Sequence, residues 1–544
     1  MKKNRFIEGT LFAYIIILIT KVIGAFYIIP FRAIIGEEGG NLYGYAYQVY
    51  NLFLDISTSG IPTAISIIIA EYNALKMFNE REYAFKIANK LVMCISTIAF
   101  LAMFLLAEPI AHFYLNGINE ANIPSVVMVI RVISFCILVI PFLSITRGYL
   151  QGNRYTKASS SSQLIEQVIR VVVALVGAYV AINVLHFDIP IGVSIALTGT
   201  VLGGLGAYLF LRYKIHKNKS QFMEGVTSAN DSTVGAKEII KKIAFRAVPV
   251  IIIAATQNIY NIVDLKLVMQ GLSQVGFSPI ECETIGSVIV TYTPKICMII
   301  NSIAVGMCMS IIPFIVSSFV NKDNKELTNK FNQAMSTILF ISVPLAIFIA
   351  QFGTPIYDIF YESRDYGGII LGANAVTSVL FSLQMVMDMM LQGMKNYKLV
   401  FLNTIVGLLI NILLDIPIIL LLNNLGLDPF VGTIIATAVG LAVSIIIILI
   451  GANIKYKINY KNTFKSLFQI LIASGIMTAI IYCLKYIGVE FAGRMQSILV
   501  LGLFGVVSIG VYILLTYVMG TMNLVFGEDI FKKFIDKFKK KKEV

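Results

Sequence analysis

Long apolar runs separated by short polar segments dominate the chain. Fourteen runs are long enough, at about 20 residues each, to cross a hydrocarbon core of about 30 Å as helices. They lie near residues 8–30, 42–69, 89–112, 123–145, 161–182, 191–212, 244–267, 284–317, 331–352, 367–391, 399–422, 429–453, 465–486 and 496–519. The pattern predicts an all-α polytopic membrane protein with fourteen transmembrane helices. We expect bends at Pro62 and Pro313, because proline lacks a backbone donor.

Two short patterns recur in the second half of the chain. The segment 150–157, LQGNRYTK, is echoed by 391–398, LQGMKNYK. The segment 61–66, IPTAIS, is echoed by 312–317, IPFIVS. The repeat predicts two six-helix lobes of the same orientation, related by a pseudo-two-fold axis along the membrane normal.

The repeat and the polar segments together predict five regions. They are an N-lobe of helices 1–6 over 1–212, a cytoplasmic linker over 213–243, a C-lobe of helices 7–12 over 244–453, two added helices over 454–519, and a basic amphipathic tail over 520–544.

Composition and charge support a membrane protein. The chain is 57% hydrophobic and only 13% charged, whereas soluble proteins average about 25% charged residues. The net charge is +13, and most Lys and Arg residues lie in the segments that are cytoplasmic if the N-terminus is inside. The positive-inside rule therefore predicts a bacterial cell-membrane protein with both termini cytoplasmic. We attribute the basic excess to contact with anionic membrane lipids and expect no nucleic-acid partner.

Three segments carry a resemblance to a known family. They are the opening segment 5–36, the motif TSGIPTAIS at 58–66, and RGYLQGNRYTKASSSSQLIEQVIRV at 147–171. They resemble the polysaccharide-transporter branch of the multidrug/oligosaccharidyl-lipid/polysaccharide (MOP) exporter superfamily. Within it the likeness is strongest to the Gram-positive lipid II flippases of the MurJ/YtgP type, with SpoVB-like proteins as relatives. The resemblance covers essentially the whole chain.

The resemblance implies a transporter and not an enzyme. Its expected substrate is a cell-wall precursor linked to undecaprenyl pyrophosphate, most simply lipid II, flipped from the inner to the outer leaflet by alternating access. Other lipid-linked polysaccharides, as in capsule, teichoic-acid or spore-cortex assembly, remain open. A drug/cation antiporter and a polyprenyl-phosphate glycosyltransferase are more distant alternatives. We expect a monomer.

Two lysines are the first candidates for binding an anionic pyrophosphate. Lys21 lies about 20 Å from the inner face and Lys295 about 16 Å from the outer face, at 1.5 Å per residue. Both fall where the resembled flippases carry a cavity arginine. Lysine offers phosphate a point charge and not a bidentate fork. The alternative for Lys21 is snorkelling, or pairing with a carboxylate.

Six further charged residues lie inside or beside apolar runs, where charges usually face a protein interior or a wet cavity. They are Arg32, Arg131, Glu166, Arg170, Asp55 and Asp388.

The sequence does not assign a single role to any of these six residues. Glu166 and Arg170 have i, i+4 spacing, so they either form an intrahelical ion pair or contact the substrate. Arg32 lies at the outer mouth or anchors the interface. Asp55 and Asp388 either pair with a lysine or line the cavity, and Arg131 has no assigned partner.

An oxygen-rich set of side chains suits a hard cation, because carboxylate, amide and hydroxyl oxygens are the ligands such ions prefer. Its members are Asp264, Asn411, Asp415, Thr433 and Thr437. The pattern resembles a sodium site of some lipid II flippases, so Na⁺ is a possible coupling ion. The alternative is a set of separate helix–helix hydrogen bonds, with Lys266 neutralising one acid.

Four tyrosines cluster in the second apolar run, at Tyr43, Tyr45, Tyr47 and Tyr50. Sugar stacking is one role for such a group. Their mixed spacing does not place all four on one helix face. We therefore expect an interfacial aromatic belt.

Overall fold

The structure is a computed structural model of the chain. It describes residues 16, 19–20, 22–24, 26–223, 226–227, 232–361, 363–485 and 493–526, without the side chains of 257, 303–313, 484–485 and 526. Lys21 and most of the predicted tail therefore lie outside the described residues.

Helices and turns account for the secondary structure of the described residues, and no strand occurs among them. The helices are α1 Ile28–Thr58, α2 Ile61–Ala74, α3 Phe78–Leu105, α4 Ala107–Leu115, α5 Ile123–Ser134, α6 Ile140–Gly152, α7 Thr156–Tyr179, α8 Ile189–Lys217, α9 Lys219–Phe222, α10 Ala236–Gln274, α11 Pro279–Ser287, α12 Thr293–Val320, α13 Asn324–Gln351, α14 Gly353–Phe360, α15 Asp365–Gly393, α16 Tyr397–Asn424, α17 Val431–Tyr456, α18 Lys461–Lys485, α19 Arg494–Val518 and α20 Thr521–Phe526.

Twelve helical segments of the described residues are long and apolar enough to cross a membrane. The first, Val22–Ala74, has 53 residues, or about 80 Å of helix at 1.5 Å per residue. That length exceeds twice the hydrocarbon core of about 30 Å. The 39-residue α10 is not among the twelve. The count of fourteen spans therefore stays a prediction.

The start of the chain changes direction inside the loop that is predicted between spans 8–30 and 42–69. Helix α1 runs through the predicted loop and kinks at Gly36, whose φ is 65°. Arg32 Nη1 donates to the Glu37 carbonyl at 3.1 Å, across this kink. Apolar patterning missed the kink because a glycine with positive φ changes direction without a polar loop.

The bend expected at Pro62 is a break between two helices. Ser59 is extended and Gly60 is left-handed, with φ 75°. Pro62 then lies in the first turn of α2, where a missing backbone donor costs nothing.

The chain forms two compact units. The first contains residues 1–269 and 277–287, and the second contains 270–276 and 288–544. In the first unit, α7 and α8 make the most extensive helix pair, and α16 and α17 do so in the second. The predicted symmetry axis between two lobes stays a prediction.

The repeated LQG segments end in the same turn. Arg154 and Lys395 are both left-handed, with φ 65° and 57°. The following amides, of Tyr155 and Asn396, bond back five residues to the carbonyls of Leu150 and Leu391. This is the Schellman end of a helix, and it recurs at equivalent positions of the two repeats.

The two echoed segments of the first half pack against each other. Gly148 and Gly152 of α6 face α2. A Cβ on Gly148 would lie 2.5 Å from the Pro62 carbonyl oxygen, and one on Gly152 would lie 2.6 Å from that of Ser66. Small residues four apart let two membrane helices approach this closely. In the second unit the echoed segments lie on α12 and α15, which also pack together.

Replacing Gly148 by alanine tests this close contact. We expect Gly148→Ala to lower the free energy of unfolding by about 1–3 kcal/mol, because backbone atoms must move apart. The matched control is Gly502→Ala in α19, where a new Cβ meets nothing within 4 Å and helix propensity favours alanine by about 0.5–1 kcal/mol. Thermal unfolding of both variants in detergent would contradict the packing if they behaved alike.

Candidate functional site

Arg147 and Glu166 form an ion pair in the first unit. Arg147 Nη2 lies 2.8 Å from Glu166 Oε2, and each side chain is 14% exposed. Arg147 Nε also donates to Ser162 Oγ at 2.8 Å. Glu166 therefore pairs between helices α6 and α7, and the expected ion pair with Arg170 is not formed. Arg147 was not predicted as a partner of Glu166, because it stands at the polar end of an apolar run and resembles a loop residue.

Arg170 lies one turn further along α7, among polar and aromatic groups. Its Nη2 donates to Gln167 Oε1. It is within electrostatic reach of Tyr47, Glu166, Tyr27 and Tyr43. A Cβ on Gly24 would lie 3.1 Å from Gln167 Nε2, so the first helical segment approaches this face closely. The hydrogen-bond partner of Arg170 is therefore a neutral amide, and the nearby Glu166 carboxylate is already paired with Arg147.

The tyrosines of α1 do not form an interfacial belt. Tyr43 and Tyr47 are stacked, with ring centroids 5.2 Å apart, and Tyr50 follows at 5.7 Å from Tyr47. Tyr43 and Tyr50 are buried in protein, and the Tyr27 and Tyr43 hydroxyls lie 3.2 Å apart. The expectation of an interfacial aromatic belt is wrong, because Tyr43, Tyr47 and Tyr50 have i, i+4, i+7 spacing and therefore lie on one face of α1.

Tyr45 points to a different part of the first unit. Its hydroxyl donates to Met269 Sδ at 3.1 Å, and its ring lies 5.2 Å from that of Tyr114. It therefore serves helix packing and does not belong to the tyrosine stack.

Helix α10, whose residues 236–269 belong to the first unit, makes polar contacts with other helices of that unit. Asn258 Nδ2 donates to Asp55 Oδ2 at 2.7 Å, while Ser59 Oγ donates to Asp55 Oδ1 at 2.8 Å. Lys266 Nζ donates to the carbonyls of Tyr114 and Asn116 at 3.1 and 3.3 Å. Asp55 thus pairs with an amide and a hydroxyl, not with a lysine. Lys266 binds the carbonyl end of α4, where the helix dipole is negative, and does not neutralise an acid.

Lys295 is the third residue of α12 and is half-buried. It lies three residues after a π-helical turn, Val288–Tyr292, a form that often marks functional positions in helices. Asn374 Nδ2 from α15 donates to the Ile289 carbonyl at 2.9 Å and to Thr293 Oγ1 at 2.6 Å. These bonds satisfy backbone groups in the turn and fix the segment that carries Lys295.

Asp388 belongs to a buried network of the second unit. Asn403 Nδ2 donates to Asp388 Oδ1 at 2.9 Å, and Gln384 Nε2 donates to Asn403 Oδ1 at 3.0 Å. Asp388 is 3% exposed. Its partner is an amide and not a lysine, and its burial keeps it out of an open cavity.

Four of the five proposed cation ligands lie in the second unit. Asn411 Nδ2 donates to Thr437 Oγ1 at 3.2 Å, and Thr437 donates to the Thr433 carbonyl at 2.9 Å. Asp415 is fully buried. The Thr433 hydroxyl interacts with the Asp415 carboxylate, but within the described part of the chain neither Asp415 oxygen nor that hydroxyl makes a hydrogen bond of good geometry. Asp264 is also buried but belongs to the first unit.

A buried carboxylate without a hydrogen bond of good geometry is costly, so the donor set fits a cation better than a closed polar network. The substrate role of the lysines, arginines and acids, and the role of Na⁺, stay predictions.

Two family models match the chain. One, described as polysaccharide biosynthesis protein, matches residues 6–277. The other, described as MatE, matches residues 284–416. The first spans half of the chain and the second covers much of the remainder.

Individual proteins that resemble the chain agree with these family matches. Lipid II flippase MurJ of Bacillus subtilis (strain 168) is 28% identical over 426 residues, which cover 77% of this chain and 78% of the relative. A solved structure of lipid II flippase MurJ in an inward closed conformation has a TM-score of 0.65 at 15% identity, covering 94% of this chain and 98% of that one.

An inward-facing multidrug resistance MATE family transporter of the MOP superfamily also has a TM-score of 0.65, at 16% identity, covering 82% of this chain and 98% of that one. These structural likenesses confirm the predicted all-α polytopic membrane fold. The chain therefore belongs to the polysaccharide biosynthesis protein family, and its sequence is similar to that of a lipid II flippase of the MurJ type.

Proposed function

We propose that this multi-pass membrane protein flips a polyprenyl-pyrophosphate-linked cell-wall precursor, lipid II, from the inner to the outer leaflet. It is a transporter and not an enzyme, as its family and relatives indicate. The named activity of its Bacillus subtilis relative supports lipid II over other lipid-linked glycans.

The observation that carries the proposal is the face around Arg170. An anion that enters a membrane protein must exchange water for fixed positive charge, because an uncompensated ion is costly in a low-dielectric interior. Arg170 offers a guanidinium held by the neutral Gln167 amide. The adjacent stacked Tyr43 and Tyr47 rings offer flat surfaces to sugars. Lys21 and Lys295 are the further cations that we assign to the substrate.

Glu166 has a supporting part in this proposal. Because Arg147 already pairs with it, Glu166 is not an open negative charge that would repel a pyrophosphate. We therefore assign Arg147 and Glu166 to holding α6 and α7 together beside the Arg170 face.

A flippase for another lipid-linked polysaccharide is the second candidate. The description of the matching family, polysaccharide biosynthesis protein, favours it. Depleting the protein distinguishes the two, since lipid II accumulates on the inner leaflet in one case and another polyprenyl-linked glycan in the other.

We also propose that Asp415, Asn411, Thr433 and Thr437 bind a sodium ion. The neighbouring Asp415 carboxylate and Thr433 hydroxyl, which make no hydrogen bond of good geometry among the described residues, supply oxygen ligands of the type hard cations prefer. The ion would compensate the buried carboxylate and make the second unit sensitive to sodium. Asp264 stays a sequence prediction as a further ligand.

Substituting Lys295 tests the substrate assignment. We expect Lys295→Gln to abolish headgroup translocation in cells depleted of other flippases, while Lys295→Arg retains part of it, because charge is the first requirement. Lys21→Gln should behave in the same way. The control Lys465→Gln removes the same charge from an exposed position and should leave transport unchanged. Normal flipping in the Lys21→Gln, Lys295→Gln double variant would remove both lysines from the mechanism.

Replacing Asp415 tests the sodium site without measuring transport. Sodium, but not potassium at equal ionic strength, should raise the thermal unfolding temperature of the purified protein, and Asp415→Asn should remove that increase. Asp388→Asn is the matched control, because Asp388 is equally buried but already hydrogen-bonded by Asn403. Equal sodium stabilisation in Asp415→Asn and wild type would rule the site out.

A double-mutant cycle tests whether Glu166 acts through Arg147. Breaking a buried ion pair typically costs about 3–5 kcal/mol, because it leaves one charge uncompensated. We therefore expect Glu166→Gln and Arg147→Met each to lower the free energy of unfolding, and the double variant to lose much less than the sum. Additive losses would show that the two side chains act independently.

A further inference from the structure

A groove in the first unit has no part in the proposed transport site. It lies where the end of α3, α4 and α5 meet, and its volume is about 510 Å³. Phe104, Glu108, Met128, Arg131 and Phe135 are among its lining residues. Met128 and Phe135 are 38% and 47% exposed. In a membrane-spanning protein such an apolar, exposed surface faces lipid, so the groove opens to the bilayer.

Two opposite charges line this groove. The Arg131 guanidinium lies over the Phe104 ring, 5.4 Å from its centroid. Its Nε is buried and makes no hydrogen bond within the described residues. Among the same residues, no ion pair is formed by Arg131 or by Glu108. The ring face replaces only part of the hydration that the guanidinium loses away from water.

Arg131 and Glu108 lie at similar depth. Arg131 is eight residues after the start of α5, and Glu108 is seven residues before the end of α4. At 1.5 Å per residue, both lie about 11 Å from the loop that joins the two helices. Because that loop is predicted to be extracellular, the charges are near the headgroup boundary of the outer leaflet.

Because Arg131 and Glu108 form no ion pair among the residues that the structure describes, their charges indicate which kind of ligand would fit the groove. The ligand must present an anion to Arg131 and a cation to Glu108, and it must carry an apolar part that reaches the exposed Met128 and Phe135. An anionic phospholipid satisfies the first requirement, but it places its phosphate near a carboxylate with no compensating group.

We propose that this groove binds the headgroup of a zwitterionic aminophospholipid from the outer leaflet. The phosphate pairs with the Arg131 guanidinium, the ammonium donates to the Glu108 carboxylate, and the acyl chains lie against the apolar rim. Arg131 is thereby assigned to a structural lipid and not to the transported substrate. The proposal does not depend on the identity of that substrate.

Native mass spectrometry of the delipidated full-length protein tests this site. The probes are phosphatidylethanolamine and phosphatidylglycerol with identical acyl chains, added to the same detergent. Wild type should retain phosphatidylethanolamine at least several-fold better than phosphatidylglycerol. Arg131→Gln should lose most binding of both lipids, since both present a phosphate.

Glu108→Gln provides the sharper variant, because Glu108 is exposed and its replacement should not disturb folding. It should remove the preference for phosphatidylethanolamine while leaving binding of phosphatidylglycerol intact or improved. The control Arg494→Gln, at an exposed helix start, should change neither. A wild-type preference for phosphatidylglycerol, or a preference that survives in Glu108→Gln, would overturn the proposal.

Discussion

The cost of a charge away from water governs the interior of this protein. Arg147 meets Glu166, Asp388 meets an amide, and Lys266 meets the carbonyl end of a helix. Each contact replaces hydration that the bilayer does not offer. Such contacts join different helices, so satisfying a charge also fixes a helix pair.

Buried charged groups that lack such a partner point to sites where the protein binds a ligand. Asp415 and Arg131 are among the described charged residues that retain buried atoms without a hydrogen bond of good geometry. In a membrane protein such atoms are explained most simply by a ligand that is not part of the chain. One is a carboxylate deep in a helix bundle and the other a guanidinium facing lipid. The first therefore suits a small cation and the second a lipid headgroup.

Much of the fold was predictable because lipid imposes simple rules on composition. Apolar length and basic asymmetry predicted a polytopic helical protein, and the echoed LQG segments carry the same turn. The kink at Gly36, the π-helical turn before Lys295 and the pairing of Glu166 with Arg147 were not predictable. Hydropathy averages over residues, whereas these features depend on single backbone angles and on which helices become neighbours. The tyrosine stack was not predicted, because the four tyrosines together have irregular spacing. Three of them, Tyr43, Tyr47 and Tyr50, nevertheless have the i, i+4, i+7 spacing of one helix face.

The left-handed residues at the helix ends have a consequence for biosynthesis. Five of the six non-glycine residues with positive φ in the described part of the chain are Lys or Arg: Lys76, Arg154, Lys322, Lys395 and Lys457. Each lies in a short loop predicted to be cytoplasmic, where glycine would adopt the conformation at less cost. A basic residue there closes the folded helix and complements its dipole. The same residue also biases which side of the membrane the nascent loop occupies during insertion. A basic residue at such a position is therefore expected to favour both the insertion topology of the nascent chain and the turn that ends the folded helix.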